Sequence, residues 1–158
     1  MVSEKCPCGS NKKKEYCCGK YLEGKELPAS AEQLMRSRYT AFYSGNINYI
    51  IATLHPDKRQ PTDRTELAKT IASTQWLNLT IVATNQGKIR DRSGTVEFVA
   101  AFRDTTGKAR QLHEKSRFTK QEGKWFYLDG DILPDYIPPN NAKCWCGSNK
   151  KYQKCHKG

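Results

Sequence analysis

The sequence predicts an α+β fold in which helices pack on one face of a curved antiparallel sheet, with a small cysteine-rich module at each end. Three observations lead to this prediction. Apolar residues recur at helical spacing between residues 31 and 73, and they alternate at strand spacing from Trp76 onward. The same short cysteine motif occurs near both ends of the chain. Helices first and a long antiparallel sheet afterwards is the order expected of an α+β domain.

Capping and turn residues set the predicted boundaries of these elements. Ser30 followed by Gln33 is a capping box, and Asn46 can cap the next helix. Turns rich in Gly, Asp and Asn separate the strands, so the sheet should be an antiparallel meander. The predicted helices span about residues 31–43, 47–54 and 63–73, and the predicted strands span about residues 76–83, 96–102, 109–120 and 125–129.

The repeated motif has the residue types and spacing of a metal-binding module. The first copy ends in two adjacent cysteines and the second ends in a cysteine and a histidine. Cysteine and histidine replace one another as ligands of tetrahedral zinc, whereas histidine cannot form a disulfide. The odd number of cysteines also argues against a disulfide framework. The sequence therefore predicts two structural Zn²⁺ ions, with the ligand sets Cys6, Cys8, Cys17 and Cys18, and Cys144, Cys146, Cys155 and His156.

Positive charge is concentrated in these two modules. The formal net charge of the chain is +11, and residues 143–158 contain five lysines and no acidic residue. Zn²⁺ cancels part of the thiolate charge, which leaves the second module more basic than the first. A basic surface favours an acidic partner, either an acidic protein surface or ribosomal or other RNA. The alternative is that the lysines only keep a small module soluble. The candidate partner-binding residues are Lys12, Lys13, Lys14, Trp145, Lys150, Lys151 and Lys154.

The sequence favours a cytoplasmic protein without membrane insertion. The first residues are charged and contain cysteines, which is not the pattern of a secretory signal. The longest apolar stretches are much shorter than a bilayer-spanning helix needs. Cysteines used as metal ligands indicate a reducing compartment.

Polar residues on otherwise apolar faces indicate a pocket between the helices and the sheet. Arg38 shares a helix face with apolar residues, and we expect it to meet Glu114 in a buried ion pair. Buried ionisable groups are candidate functional residues, although the pair could equally serve packing alone. The candidate pocket residues are Arg38, Tyr39, Glu114, Ser116 and Asp129.

Both cysteine motifs resemble SEC-C motifs, the zinc knuckles known from the end of the SecA translocation ATPase. The whole chain is similar to the YchJ family, through both motifs and through residues 34–42, 116–118 and 125–130. Trp145 departs from the usual proline, and Asn11 and Asn149 stand where glycine is frequent. The resemblance implies an NTF2-like (cystatin-like) cone with a zinc knuckle at each end. The implied units are a SEC-C knuckle at 1–20, an NTF2-like domain at 28–132, a Pro/Asn-rich linker at 133–142 and a SEC-C knuckle at 143–158.

Three functions are compatible with this organisation. The first is an adaptor whose basic knuckles dock on an acidic partner. By analogy with the knuckle of SecA, that partner would be the ribosome or a secretion chaperone. The second is a small-molecule-binding or enzymatic pocket of the isomerase or hydrolase type, with Glu114 or Asp129 as acid or base. The third is a metal-handling or thiol-sensing protein. The chain lacks a nucleophile–base pair and a glycine-rich phosphate loop, which favours a binding role over catalysis. Many cone-shaped domains of this class pair through their sheets, so the sheet is also a candidate homodimer interface.

Overall fold

The structure, a computed structural model, describes residues 4–157. Residues 1–3 and 158, where the two predicted knuckles begin and end, lie outside the described residues. The helices are α1 (Cys18–Leu22), α2 (Ala31–Ser44), α3 (Ile47–Ala52) and α4 (Asp63–Ser73). The strands are β1 (Gln75–Gln86), β2 (Ser93–Arg103), β3 (Ala109–Gln121) and β4 (Lys124–Ile132).

The helix boundaries follow from the caps that the sequence contains. Ser30 Oγ accepts a hydrogen bond from the Gln33 backbone N at 3.1 Å, and Asn46 Oδ1 accepts one from the Tyr49 N at 3.0 Å. Gly45 ends α2 in the left-handed conformation, with φ of 79°. In the described part of the chain, no helix combines the length and the apolar character that crossing a membrane requires.

The four strands form one antiparallel sheet in the order β1-β2-β3-β4, as the meander prediction requires. Its register is interrupted at three residues: Leu77 and Val82 in β1, and Leu128 in β4. Each interruption gives one strand an extra residue, which bends that strand and shifts the alternation of its side chains. β1 and β4 are therefore less regular than their sequences suggest.

The sheet carries a buried cluster on each face. On the helical face, Phe98 and Ala100 of β2 pack with Leu34 of α2. On the opposite face, Val99 and Ala101 pack with Trp145 from the C-terminal segment. The first cysteine module packs in the cluster on the helical face, and the second packs in the cluster on the opposite face. The sheet thus lies between the two modules.

Candidate metal centres and a central cavity

The four predicted ligands converge in each module. In both sets the ligand atoms lie within 4.8 Å of one another. The Cys8 Sγ–Cys17 Sγ and Cys146 Sγ–Cys155 Sγ distances are both 3.6 Å. A tetrahedral ion with bonds of about 2.3 Å to sulfur separates its sulfur ligands by about 3.8 Å. A disulfide would need about 2.05 Å. Each cluster could therefore hold a metal ion, and the seven cysteines are free thiols rather than disulfides.

The two modules repeat one backbone conformation. Gly9 and Gly147 have φ of 83° and 87°, and Asn11 and Asn149 have φ of 66° and 67°. Asparagine is among the few residues other than glycine that adopt this left-handed region readily, which explains its presence where glycine is frequent. In both copies the first cysteine N donates a hydrogen bond at 2.8 Å to the carbonyl of the lysine six residues later.

Helix α2 holds the first module. Arg36 Nη1 donates to the Cys8 carbonyl at 2.8 Å and lies 3.9 Å from Cys8 Sγ, while its Nε donates to Glu32. Thr40 Oγ1 lies 3.7 Å from Cys6 Sγ. The sequence analysis did not identify Arg36 or Thr40 as partners of the module. Arg36 and Thr40 are four residues apart, so the sequence does indicate that they share one face of α2.

The second module is less protected than the first. Cys6, Cys8 and Cys18 are at most 5% exposed, whereas Cys155 is half-buried and His156 is exposed. The imidazole Nδ1 of His156 still lies 3.3 Å from Cys155 Sγ. Solvent therefore reaches the second ligand set more easily.

Trp145, a candidate partner-binding residue, packs on the sheet in this structure. Its side chain is 9% exposed and packs on Val99 and Ala101. Its ring centroid lies 4.6 Å from that of His156, and its carbonyl accepts a hydrogen bond from Asn78 Nδ2 at 3.3 Å. Trp145 fastens the second module to the sheet because a large aromatic side chain buries a large apolar area there.

The predicted docking lysines lie at the surface of the modules. Five are exposed, namely Lys12, Lys13, Lys150, Lys151 and Lys154, and Lys14 is half-buried. These positive charges are accessible to a partner.

A cleft of about 470 Å³ separates the two modules along β1. Gly9 and Asn11 line it from the first module, and Gly147 and Asn149 line it from the second. Residues 78–81 of β1 lie between them. Because β1 is an edge strand, both modules flank the same edge of the sheet.

A separate cavity of about 350 Å³ lies between the helices and the sheet. Four of the predicted pocket residues line it, namely Arg38, Tyr39, Glu114 and Ser116. Glu114 Oε2 accepts hydrogen bonds from Tyr127 OH at 3.1 Å and from Ser116 Oγ. Burial raises the pKa of Tyr127 above its usual range, so this phenol stays protonated at neutral pH.

The expected ion pair between Arg38 and Glu114 does not form. Arg38 Nη1 donates instead to the Ile50 carbonyl at 2.8 Å and to Thr53 Oγ1 at 2.7 Å. The guanidinium carbon lies 4.7 Å from the centre of the Tyr127 ring. Burial lowers the pKa of Arg38 to about 10, which leaves the group charged at neutral pH. Tyr127 therefore connects the two groups, since it contacts both.

Asp129 does not line the cavity, contrary to the prediction. Its carboxylate accepts a hydrogen bond from Arg117 Nε. The register explains the error: Tyr127 pairs with Phe118, whereas Asp129 pairs with Arg117, because Leu128 is an extra residue in β4. Tyr127 and Asp129 thus lie on opposite faces, although they are two positions apart in the sequence.

Both ring nitrogens of His113 have partners. Its Nε2 lies 2.8 Å from Glu97 Oε2, and its Nδ1 lies 2.6 Å from the Pro134 carbonyl. The histidine thereby attaches the segment after β4, which leads to the second module, to the outer face of the sheet.

Comparison with known proteins identifies the family. The family model described as "YchJ, middle NTF2-like domain" matches residues 30–130, and the SEC-C motif matches residues 141–157. The chain belongs to the YchJ family. Among similar curated proteins, a UPF0225 protein of Serratia proteamaculans is 43% identical over 155 residues, covering 98% of each chain. A UPF0225 protein of Geobacter sulfurreducens is 42% identical over 155 residues, covering 95% of this chain and 96% of its own.

Solved structures place this YchJ-family chain beside other SEC-C proteins. A SEC-C motif containing protein from Rhodopseudomonas palustris has a TM-score of 0.76 at 34% identity, covering 83% of this chain and 100% of its own. A sec-c motif containing protein from Psychrobacter arcticus has a TM-score of 0.69 at 28% identity, covering 97% and 95%. The family and the α+β, NTF2-like fold predicted from the sequence are confirmed.

Proposed function

We propose that this YchJ-family protein is a zinc-binding adaptor whose two basic modules dock together on an acidic partner. The observation that carries the proposal is the position of the modules. Both flank residues 78–81 of β1, and each carries exposed lysines on its surface. A phosphate-rich surface such as ribosomal RNA fits this arrangement, because several separated positive charges can contact successive phosphates.

Zinc is the metal that the donor sets favour. Four thiolates, or three thiolates and one imidazole, in tetrahedral arrangement are typical of structural zinc sites. Four protein ligands leave no coordination position for water or substrate, so the ion would order the loops that carry the lysines. Thiolate ligands also suit a reducing cytoplasm as the site of action.

The second module should contribute most of the docking charge. Residues 143–158 contain five lysines and no carboxylate side chain. Lys150, Lys151 and Lys154 are exposed there, next to the ligand Cys155. Binding to a phosphate-rich partner should weaken steeply as salt increases, because bound lysines release counterions.

A charge-matched pair of variants tests the proposal. The triple variant Lys150→Gln, Lys151→Gln, Lys154→Gln should co-sediment with ribosomes about tenfold or more weakly and reduce the salt slope by about three. The control is Lys58→Gln, Lys88→Gln, Lys108→Gln, which removes three exposed lysines outside the modules. Equal losses in both triple variants would contradict docking through the module. Loss of binding with no change in salt slope would point to an acidic protein surface of the ribosome instead.

A homodimer through the sheet stays a prediction. The second module packs on Val99 and Ala101, on the face opposite the helices. A sheet-to-sheet dimer would therefore have to form beside that module. Sedimentation equilibrium of the zinc-loaded protein determines the oligomeric state.

A further inference from the structure

The central cavity has the composition of a binding site for a small aromatic molecule. Its wall contains the aromatic side chains Tyr39, Phe42 and Trp76. The Trp76 ring centroid lies 6.0 Å from that of Tyr39 and 6.1 Å from that of Phe42. A cavity of about 350 Å³ is at the lower end of the range for small-molecule sites, so one or two rings would fit.

Two of the residues that line the cavity each have a buried polar atom without a partner. Tyr39 is 3% exposed, and among the described residues its hydroxyl has no hydrogen-bond partner. The same holds for the indole Nε1 of Trp76. A buried N–H or O–H group without a partner is costly, so such groups are normally satisfied by a ligand or by water. Burial raises the pKa of Tyr39, which keeps this phenol a donor. Both groups would therefore donate to an acceptor on the ligand.

Glu114 supplies an acceptor on another part of the wall. Ser116 and Tyr127 donate to its Oε2, and no described residue donates to its Oε1. The backbone accommodates this carboxyl group specifically, since a Cβ at Gly130 would lie 2.6 Å from Oε2. Arg38 also lines the cavity, but its Nη1 is occupied by the end of α3. The second oxygen of Glu114 is thus free to accept from a ligand.

Helix α4 offers a route into the cavity. Leu67 and Thr70 of α4 line it, yet no residue of α4 is buried. Displacing a helix with so little buried surface costs little free energy, so a ligand could enter and leave past α4.

We propose that the cavity binds a planar molecule of one or two rings whose N–H groups donate to Glu114 and whose acceptor atom receives hydrogen bonds from Tyr39 and Trp76. This site is independent of the docking surface, because none of the docking lysines lines the cavity. Glu114 would bind one end of the ligand, and the Tyr39 and Trp76 donors would bind the other end. The aromatic side chains of the wall would stack on the ring between them.

Three small probes test both contacts in the zinc-loaded full chain. 4-Methoxybenzamidine carries N–H donors and an ether acceptor, benzamidine lacks the acceptor, and 4-methoxybenzoate replaces the donors with a carboxylate. Titration followed by amide chemical shifts should give tightest binding for 4-methoxybenzamidine, with the largest shifts in residues 98–100 and 112–116. The variant Glu114→Gln, which keeps the side-chain size, should weaken that binding about tenfold or more.

Two controls separate a specific site from general weakening. Glu97→Gln removes a carboxylate bound to His113 on the outer face of the sheet and should leave probe binding unchanged. Tyr39→Phe should reduce the preference for 4-methoxybenzamidine over benzamidine, because only Trp76 would still donate to the ether oxygen. Equal binding of the benzoate, equal affinity in Glu114→Gln, or no binding of 4-methoxybenzamidine at millimolar concentration would each overturn the proposal.

Discussion

Gly147 of the second module lies directly against the side chain of Asn78 in β1. A Cβ at position 147 would lie 2.9 Å from the Asn78 Cβ, closer than two such atoms can approach. Gly9, the equivalent residue of the first module, lies against the next residue of the same strand, since its Cβ would be 3.2 Å from the Leu79 carbonyl oxygen. The missing side chain in each motif thus brings both modules onto β1.

We predict that Gly147→Ala loosens the second module more than backbone strain alone explains. Gly107 is a matched control, because its φ of 86° is nearly that of Gly147 but, apart from its chain neighbours, no described residue lies within 4 Å of its Cβ position. Gly107→Ala should cost about 1–2 kcal/mol for the left-handed conformation. Gly147→Ala should cost more and should also weaken metal binding. Urea unfolding and metal competition measure the two effects, and equal losses in both variants would exclude the packing contribution.

Metal should leave the second module first. His156 is exposed and Cys155 half-buried, whereas three ligands of the first module are almost completely buried. Excess EDTA should therefore release metal in two phases. Cys155→Ser should abolish the fast phase and Cys17→Ser the slow phase, as followed with a colorimetric zinc indicator. A fast phase that survives in Cys155→Ser would reverse the assignment.

Arg36→Ala should weaken metal binding in the first module alone. The variant removes the hydrogen bond to the Cys8 carbonyl and a positive charge beside four thiolates. Loss of such a supporting contact typically costs about 10–100-fold in metal affinity. Arg64→Ala is the control, because Arg64 bonds to Asn48 on the surface. Competition with a chelator of known affinity measures the change, and equal affinities in the two variants would contradict the role of Arg36.

Alkaline pH should destabilise the fold partly through Tyr49. Burial raises the pKa of this phenol from 10.0 to about 12. Between these values the unfolded chain has lost a proton that the folded protein keeps, so the free energy of unfolding falls as pH rises. Tyr49→Phe should make this fall shallower, as measured by urea midpoints at about pH 9, 10 and 11. A slope identical to that of the unsubstituted protein would show that Tyr49 does not contribute.

The sequence was sufficient for features that depend on local spacing. The cap at Ser30 fixed the start of α2, and the two motifs identified eight residues whose ligand atoms converge. Their donor types and spacing are a local signal, which is why the sequence located the clusters.

Sequence patterns did not predict the features that depend on strand register or on packing between distant segments. Asp129 was assigned to the wrong face, because the extra residue at Leu128 shifts the alternation of β4. An extra residue of this kind leaves no clear mark in a single sequence. The burial of Trp145 and the contact of Arg36 with Cys8 arise between segments distant in the chain, so neither spacing nor composition predicts them.

The position of the modules on β1 has a consequence for the metal-free chain. β1 is an outermost strand, and unpaired backbone groups on such strands can recruit strands from other molecules. When metal is bound, the two folded cysteine modules would flank residues 78–81 and hinder pairing with a strand of another molecule. A chain synthesised under metal starvation would expose this stretch and self-associate, so metal supply would govern its solubility.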